Sequence, residues 1–146
     1  MISLRQQALK RLARREHSRF ELEEKLSALG TAEEIAAVLD TLEATGLLSD
    51  QRTAASYLSS HAARFGTMKL KHTLRAKGIA EEIIDAGLAA LGEDLASEET
   101  RALEIWRRKY GQPPVDAREW AKQARFLQSR GFSSDAIRRV LKAYHV

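Results

Sequence analysis

Apolar residues recur along this chain at intervals of three and four, the period of a helix with one buried face. Ile35, Val38, Leu39 and Leu42 form one such set. Ile84, Gly87, Leu88 and Leu91 form a second, and Ile137, Val140, Leu141 and Tyr144 a third, at equal spacing. Each set follows a glycine (Gly30, Gly78, Gly131) that has a leucine four residues before it (Leu26, Leu74, Leu127). The tetrapeptide AEEI stands at 32–35 and again at 80–83, 48 residues apart. Three copies of one helix-turn-helix unit explain these coincidences better than two, the first copy having one residue fewer in its turn.

Local chemistry marks the ends of the predicted helices. Glycine accepts the left-handed backbone that closes a helix, so Gly30, Gly78 and Gly131 read as C-terminal stops. Ser3 with Gln6, Ser18 with Glu21, Thr31 with Glu34 and Asp116 with Glu119 have capping-box spacing. Phe132 with Ile137, and Ile79 with Ile84, have the spacing of a hydrophobic staple. Nine helices result. The first runs to about Arg15, the second to Leu29, and the third closes at Gly46. Ser49 caps the fourth, which stops at Gly66; Thr67 begins the fifth, which stops at Gly78. The sixth runs to about Leu91, with Gly92 opening a joint. Ser97 starts the seventh, ending at Gly111, and Ser133 caps the ninth. Leu22, Leu26, Leu70 and Leu74 read as core, as do Tyr57, Leu58, His61 and Phe65.

No run alternates in the manner of a strand, so the predicted fold is all-α. It consists of three tandem three-helix repeats, with helices packed at right angles in an elongated, curved, solenoid-like body. The repeats cover residues 1–48, 49–92 and 93–146, the last with a rigid Gly-Gln-Pro-Pro linker at 111–114.

Composition narrows the class. The 146 residues are 44% hydrophobic, enough for a core, and contain no cysteine, which excludes disulfides and thiolate metal sites. There is no apolar run of membrane-spanning length, and the opening MISLRQQALKRLARR lacks the apolar block of a secretory signal. A cytoplasmic, monomeric protein is expected.

Charge follows the repeat. The net +4 divides into +5 over residues 1–20 (six basic, one acidic), −7 over 21–50 (one and eight) and +6 over 51–79 (six and none). It continues as −7 over 80–104 (one and eight) and +7 over 105–146 (ten and three). Five alternating blocks in register with the repeat suggest separate acidic and basic surface stripes.

No constellation for catalysis is present. None of the four histidines (17, 61, 72 and 145) has a partner at metal-site spacing, and adjacent Glu33 and Glu34, or Glu81 and Glu82, suit capping and not acid-base work. No catalytic residue, metal or cofactor is therefore assigned, and an enzyme is not expected. The basic residues offer more. Arg118, Lys122 and Arg125 fall at i, i+4 and i+7 on one stripe of the eighth helix. The fifth helix has Lys69 and His72 at matching offsets, while the second reverses the sign with Glu21 and Glu24. Arg11, Arg14, Arg15 and Arg19 compensate nearby at the first joint. Such stripes suit a phosphate backbone or an acidic protein groove. Trp106, Tyr110 and Trp120 read as core or interface in preference to base-stacking residues. Operator reading is disfavoured, because the helices after Gly30 and Gly78 open with paired glutamates; only the ninth, with Arg138 and Arg139, escapes that objection.

The stretches LARREHSRFELEEKL at 12–26, GLLSDQRTAASYL at 46–58, LRAKGI at 74–79 and ARFLQSRGFSSDAIRRVL at 124–141 carry a resemblance. The sequence resembles the RecX regulators of the RecA recombinase, with Thr53 standing where the family pattern calls for phenylalanine. The resemblance implies a protein that binds the RecA nucleoprotein filament on DNA, lies in its groove, and represses ATP hydrolysis, strand exchange and coprotease activity. It thereby modulates DNA repair and the SOS response. Arg118, Lys122, Arg125, Lys69, His72, Arg11, Arg14, Arg15 and Arg19 are the expected contacts to the filament or its DNA. The rival expectation is a free DNA-binding helical-repeat module, with direct weak binding to single- or double-stranded DNA left open.

Overall fold

The computed structural model describes residues 2–94 and 97–143; the third apolar set's Tyr144, and His145, lie outside them. The described residues form nine α-helices and no strand: α1 (Leu4–Leu12), α2 (Arg19–Leu26), α3 (Ala32–Ala44), α4 (Asp50–His61), α5 (Thr67–Ala76), α6 (Glu81–Asp94), α7 (Glu98–Lys109), α8 (Ala117–Ser129) and α9 (Ser134–Ala143).

Caps start these helices where the sequence places them. Ser3, Ser18 and Thr31 each accept the amide three residues on, and Gln6, Glu21 and Glu34 reach back to the cap amide, so three complete capping boxes open α1, α2 and α3. Asp116 accepts the Glu119 amide at 2.8 Å. Glu119 turns its carboxylate toward Gln123 Nε2, 3.4 Å away.

Helix ends divide into two kinds. After α3, α5 and α8, Gly46, Gly78 and Gly131 take positive φ of 79°, 73° and 88°. The residue after each donates back five positions: Leu47 to the Leu42 carbonyl, Ile79 to Leu74 and Phe132 to Leu127, the Schellman arrangement. Gly30 corrects the expectation, since its φ is not positive. A Cβ there would meet Leu4 Cδ1 at 2.9 Å, the end of a flexible side chain that can move aside. Gly92 also fails to break the chain, and lies within α6, which continues to Asp94 instead of stopping at Leu91. Glycine weakens a helix by only about 1 kcal/mol relative to alanine, and terminates it when the backbone turns left-handed. The first, second and fourth helices end earlier than predicted, at Leu12, Leu26 and His61, because their last residues tighten into turns. Arg14, Leu29 and Arg64 donate to carbonyls three residues back.

The chain forms two compact units: residues 1–57 with 74–87, and residues 58–73 with 88–146. In the first, α1, α2 and α3 enclose Ala8, Leu22, Leu26, Ile35, Leu39, Leu42 and Leu48, with Leu4, Leu9, Leu12 and Val38 around them. Ser18, fully buried, donates its hydroxyl to the Lys77 carbonyl. Thr53 is buried too, its hydroxyl 2.9 Å from both the His17 and Ser49 carbonyls. The first joint is thus closed by a buried hydroxyl.

In the second unit Ala102, Trp106, Leu127, Phe132, Ile137, Val140 and Leu141 form the core, with Tyr110, Trp120 and Phe126 against it. The tryptophans and Tyr110 serve as packing, as expected. Trp106 Nε1 donates to Gln123 Oε1 at 2.7 Å, and Gln123 Nε2 donates to the Gln112 carbonyl at 3.2 Å, so one buried amide joins α7, α8 and the extended linker. The turn after α8 meets the start of α5 through backbone: the Gly66 amide donates to the Arg130 carbonyl at 2.7 Å and the Met68 amide to the Gly131 carbonyl at 3.1 Å. A Cβ on Gly131 would strike the Lys69 backbone nitrogen at 2.5 Å, and left-handed φ already restricts the position to glycine. Leu58 and Leu70 are buried as expected, whereas His61 and Phe65 are only half-buried.

Candidate functional site

The α8 stripe is displayed as its spacing requires. Gln123 and Leu127 face inward, and Arg118, Lys122 and Arg125 are exposed, with no ion pair among the described residues. The other predicted cationic helix of this unit, α5, exposes Lys69 and, one turn on, His72. The Gly131 contact sets Lys69 beside the α8–α9 turn, and there the structure adds residues that the sequence reading did not single out.

Phe65 is ringed by cations. Lys69 Nζ lies 4.5 Å from its ring centre, the Arg130 guanidinium 5.6 Å and that of Arg64 5.8 Å. Arg130 also lies 5.4 Å from the Phe126 ring, which Lys109 approaches at 5.4 Å and Tyr110 meets edge-on. Two half-buried phenylalanines thus hold four basic side chains through their π faces. None of the four forms an ion pair among the described residues, which leaves the positive heads available to a partner. In sequence only Arg64 stands next to its ring; Lys109 and Arg130 reach theirs through the fold.

In the first unit the four arginines separate. Arg14 is exposed and forms no ion pair among the described residues. Arg11 reaches Gln7 at 3.5 Å and forms no ion pair among the described residues. Arg15 pairs with Glu21 at 2.7 Å and also donates to the Glu16 carbonyl. Arg19 is enclosed: its guanidinium meets Glu43, Asp40 at 2.7 Å and Glu23 at 3.1 Å, and its amide donates to Asp50 Oδ1 at 2.9 Å. The Glu43 hydrogen bond, with those of Asp40 and Glu23, raises its pKa further above the arginine range despite partial burial. Arg19 is a junction of α2, α3 and α4, and the least available of the predicted contacts.

Glu21, the partner of Arg15, is also 3.4 Å from Lys77. Partial burial pushes its carboxyl up, but the Arg15 hydrogen bond, the Ser18 amide and the charges of Lys77 and Arg15 outweigh this and hold its pKa at about 2. No group of three His, Asp or Glu side chains among the described residues could hold a metal ion, and no described helix is long and apolar enough to cross a membrane.

Comparison with known proteins accounts for the arrangement. Residues 5–42, 49–88 and 97–141 match, in order, the first, second and third three-helix domains of RecX. This chain belongs to the RecX family. The regulatory protein RecX of Leptothrix cholodnii is 50% identical over 142 residues, spanning 97% of this chain and 88% of that one. That of Ralstonia pickettii is 40% identical over 141 residues, spanning 96% and 87%. A crystal structure of regulatory protein RecX superposes with a TM-score of 0.77 at 25% identity, covering 96% of this chain and 71% of the other. RecX from Lactobacillus salivarius gives 0.79 at 23% identity, covering 97% and 94%. The chain is therefore an all-helical member of a family of regulatory proteins, built from the family's three three-helix domains.

Proposed function

We propose that this RecX-family protein binds the RecA nucleoprotein filament in its groove and inhibits its ATPase, strand-exchange and coprotease activities, acting as a monomer in the cytoplasm. The observation that carries the reading is the set of exposed, unpaired cations on α8, Arg118, Lys122 and Arg125, in the same compact unit as Lys69 and His72. A polymer of repeating acidic surface and phosphate is a fitting counterpart, since several weak contacts on one chain multiply through effective concentration. Inhibition follows if the bound protein favours one filament conformation, ATP turnover falling as that state is populated. No catalytic group is needed for this.

The test is ATP hydrolysis by the recombinase on single-stranded DNA, titrated with this protein. Inhibition at substoichiometric amounts is the expected result, and unchanged hydrolysis at excess would reject the reading. The cation-aromatic cluster around Phe65 and Phe126 favours a second reading, a free DNA-binding module, because rings and cations together suit single strands. Anisotropy binding to bare single- and double-stranded DNA across a salt series, set beside binding to preformed filaments, separates the two.

A further inference from the structure

A concavity of about 720 Å³ opens in the first compact unit, between the C-terminal half of α1, the turn that follows it and α2. Its charged wall consists of Lys10, Arg11, Arg14, Arg15 and Lys25, with His17 beside them, and no carboxylate lines it. Two basic residues at the end of α1 would suffice to complement its dipole. Five cations around one hollow exceed that need, and their mutual repulsion is a cost that a bound anion removes.

Glu21, the acid paired with Arg15, does not neutralise the hollow. Glu21 pairs with Arg15 and with Lys77, leaving Lys10, Arg11, Arg14 and Lys25 without an ion pair among the described residues. One wall is also held in place from behind. His17 is buried, and its Nδ1 lies 3.0 Å from the Arg15 carbonyl. A carbonyl only accepts, so Nδ1 carries the proton and Nε2 is left as an acceptor, toward which the Lys25 ammonium donates at 3.3 Å. Burial lowers the His17 pKa; the hydrogen bond to the Arg15 carbonyl opposes it, and the charges of Arg15 and Lys25 add to it.

We propose that this concavity binds an oligophosphate, two or more phosphates in succession, presented either by a nucleic-acid backbone or by a free polyphosphate chain. Four uncompensated charges call for a ligand with several negative charges. The volume falls within the roughly 300–1,000 Å³ of small-molecule sites. The lining contains no Phe, Tyr or Trp, and its one ring, that of His17, is buried and held by the Arg15 carbonyl and Lys25, so the phosphates and not a base are held. The proposal gives a ligand class to Arg11, Arg14 and Arg15 and adds Lys10, His17 and Lys25. It does not depend on the filament reading, because oligophosphate binding is measured with no recombinase present.

Calorimetric titration of the full chain with inorganic tripolyphosphate at low salt is the experiment, with poly-glutamate as the carboxylate counterpart. Tripolyphosphate is expected to bind, and K10E/R14E to weaken it by roughly tenfold or more at unchanged helicity. R5E/K142E changes net charge equally at exposed positions outside the concavity and should retain binding. K10M/R14M gives a milder loss and serves if the reversal does not fold. A single-stranded oligonucleotide then distinguishes the sources. Competition with tripolyphosphate identifies a nucleic-acid backbone as the ligand, and its absence identifies a free polyphosphate. No binding of tripolyphosphate, equal loss in R5E/K142E, or equally tight binding of poly-glutamate would overturn the assignment.

Discussion

Phe20 lies directly against the α-carbon of Gly78: a Cβ on that glycine would stand 2.4 Å from Phe20 Cβ and 2.6 Å from Cγ. Gly78 is also held at a φ of 73°. Gly78→Ala therefore combines left-handed strain with a clash, and a loss of about 2–4 kcal/mol is expected, read as a fall in the thermal midpoint. F20G/G78A should lose less than the two single variants together, since removing the Phe20 side chain from Cβ outward relieves the overlap but not the strain. Strict additivity would mean that the two residues do not press on each other.

Gln123→Leu keeps the volume of a buried side chain but removes the acceptor of the Trp106 indole and the donor to the Gln112 carbonyl. The expected cost is about 1–3 kcal/mol by urea denaturation. The near-ultraviolet circular dichroism of Trp106 should change with it, because its ring is no longer oriented by the amide.

Glu21 gives the chain a specific acid sensitivity. Its pKa is depressed from 4.5 to about 2, so the folded form binds a proton less readily than the unfolded form. The stability it supplies is complete above pH 4.5 and is lost as pH falls through about 2. In Glu21→Gln the stability curve should be lower at neutral pH and flatter across that window; a slope identical to that of the unaltered protein would show that other carboxyls carry the acid response.

Reversing Arg118, Lys122 and Arg125 to glutamate together is expected to weaken inhibition of the recombinase ATPase at least about tenfold while leaving helicity and thermal midpoint nearly unchanged, because the three side chains are exposed and unpaired. Arg19→Met is expected to do the opposite, lowering the midpoint by leaving Asp40, Glu43 and Glu23 without their cation while inhibition per folded molecule persists. Inhibition unaffected by the triple reversal would remove α8 from the contact surface.

These contrasts show where local sequence was informative. Caps and left-handed stops depend on four to six consecutive residues, so Ser3, Ser18, Thr31, Gly46, Gly78 and Gly131 could be read directly. Gly30 could not, because its backbone is not left-handed and the side chain it faces, Leu4, is 26 residues away in the chain. Arg19 counted as a free positive charge until Asp40 and Glu43, on another helix, were seen to close on it. Phe65 was read as core from its position on an apolar face, yet its exposed side meets Lys69 and Arg130, the latter brought in by a turn 65 residues further on. The cationic stripe on α8 was legible because it lies within one helix; the concavity near His17 was not, since two helices and a turn define it.

At the meeting of Gly66 with Gly131 no side chain intervenes, and a Cβ on Gly66 would fall 2.4 Å from the Gly131 carbonyl oxygen. The spacing there cannot be adjusted by exchanging a larger residue for a smaller one. Over evolutionary drift, a residue gained or lost in either loop has to be matched in the other, so the loops at 62–66 and 130–133 should vary in length as a pair or not at all.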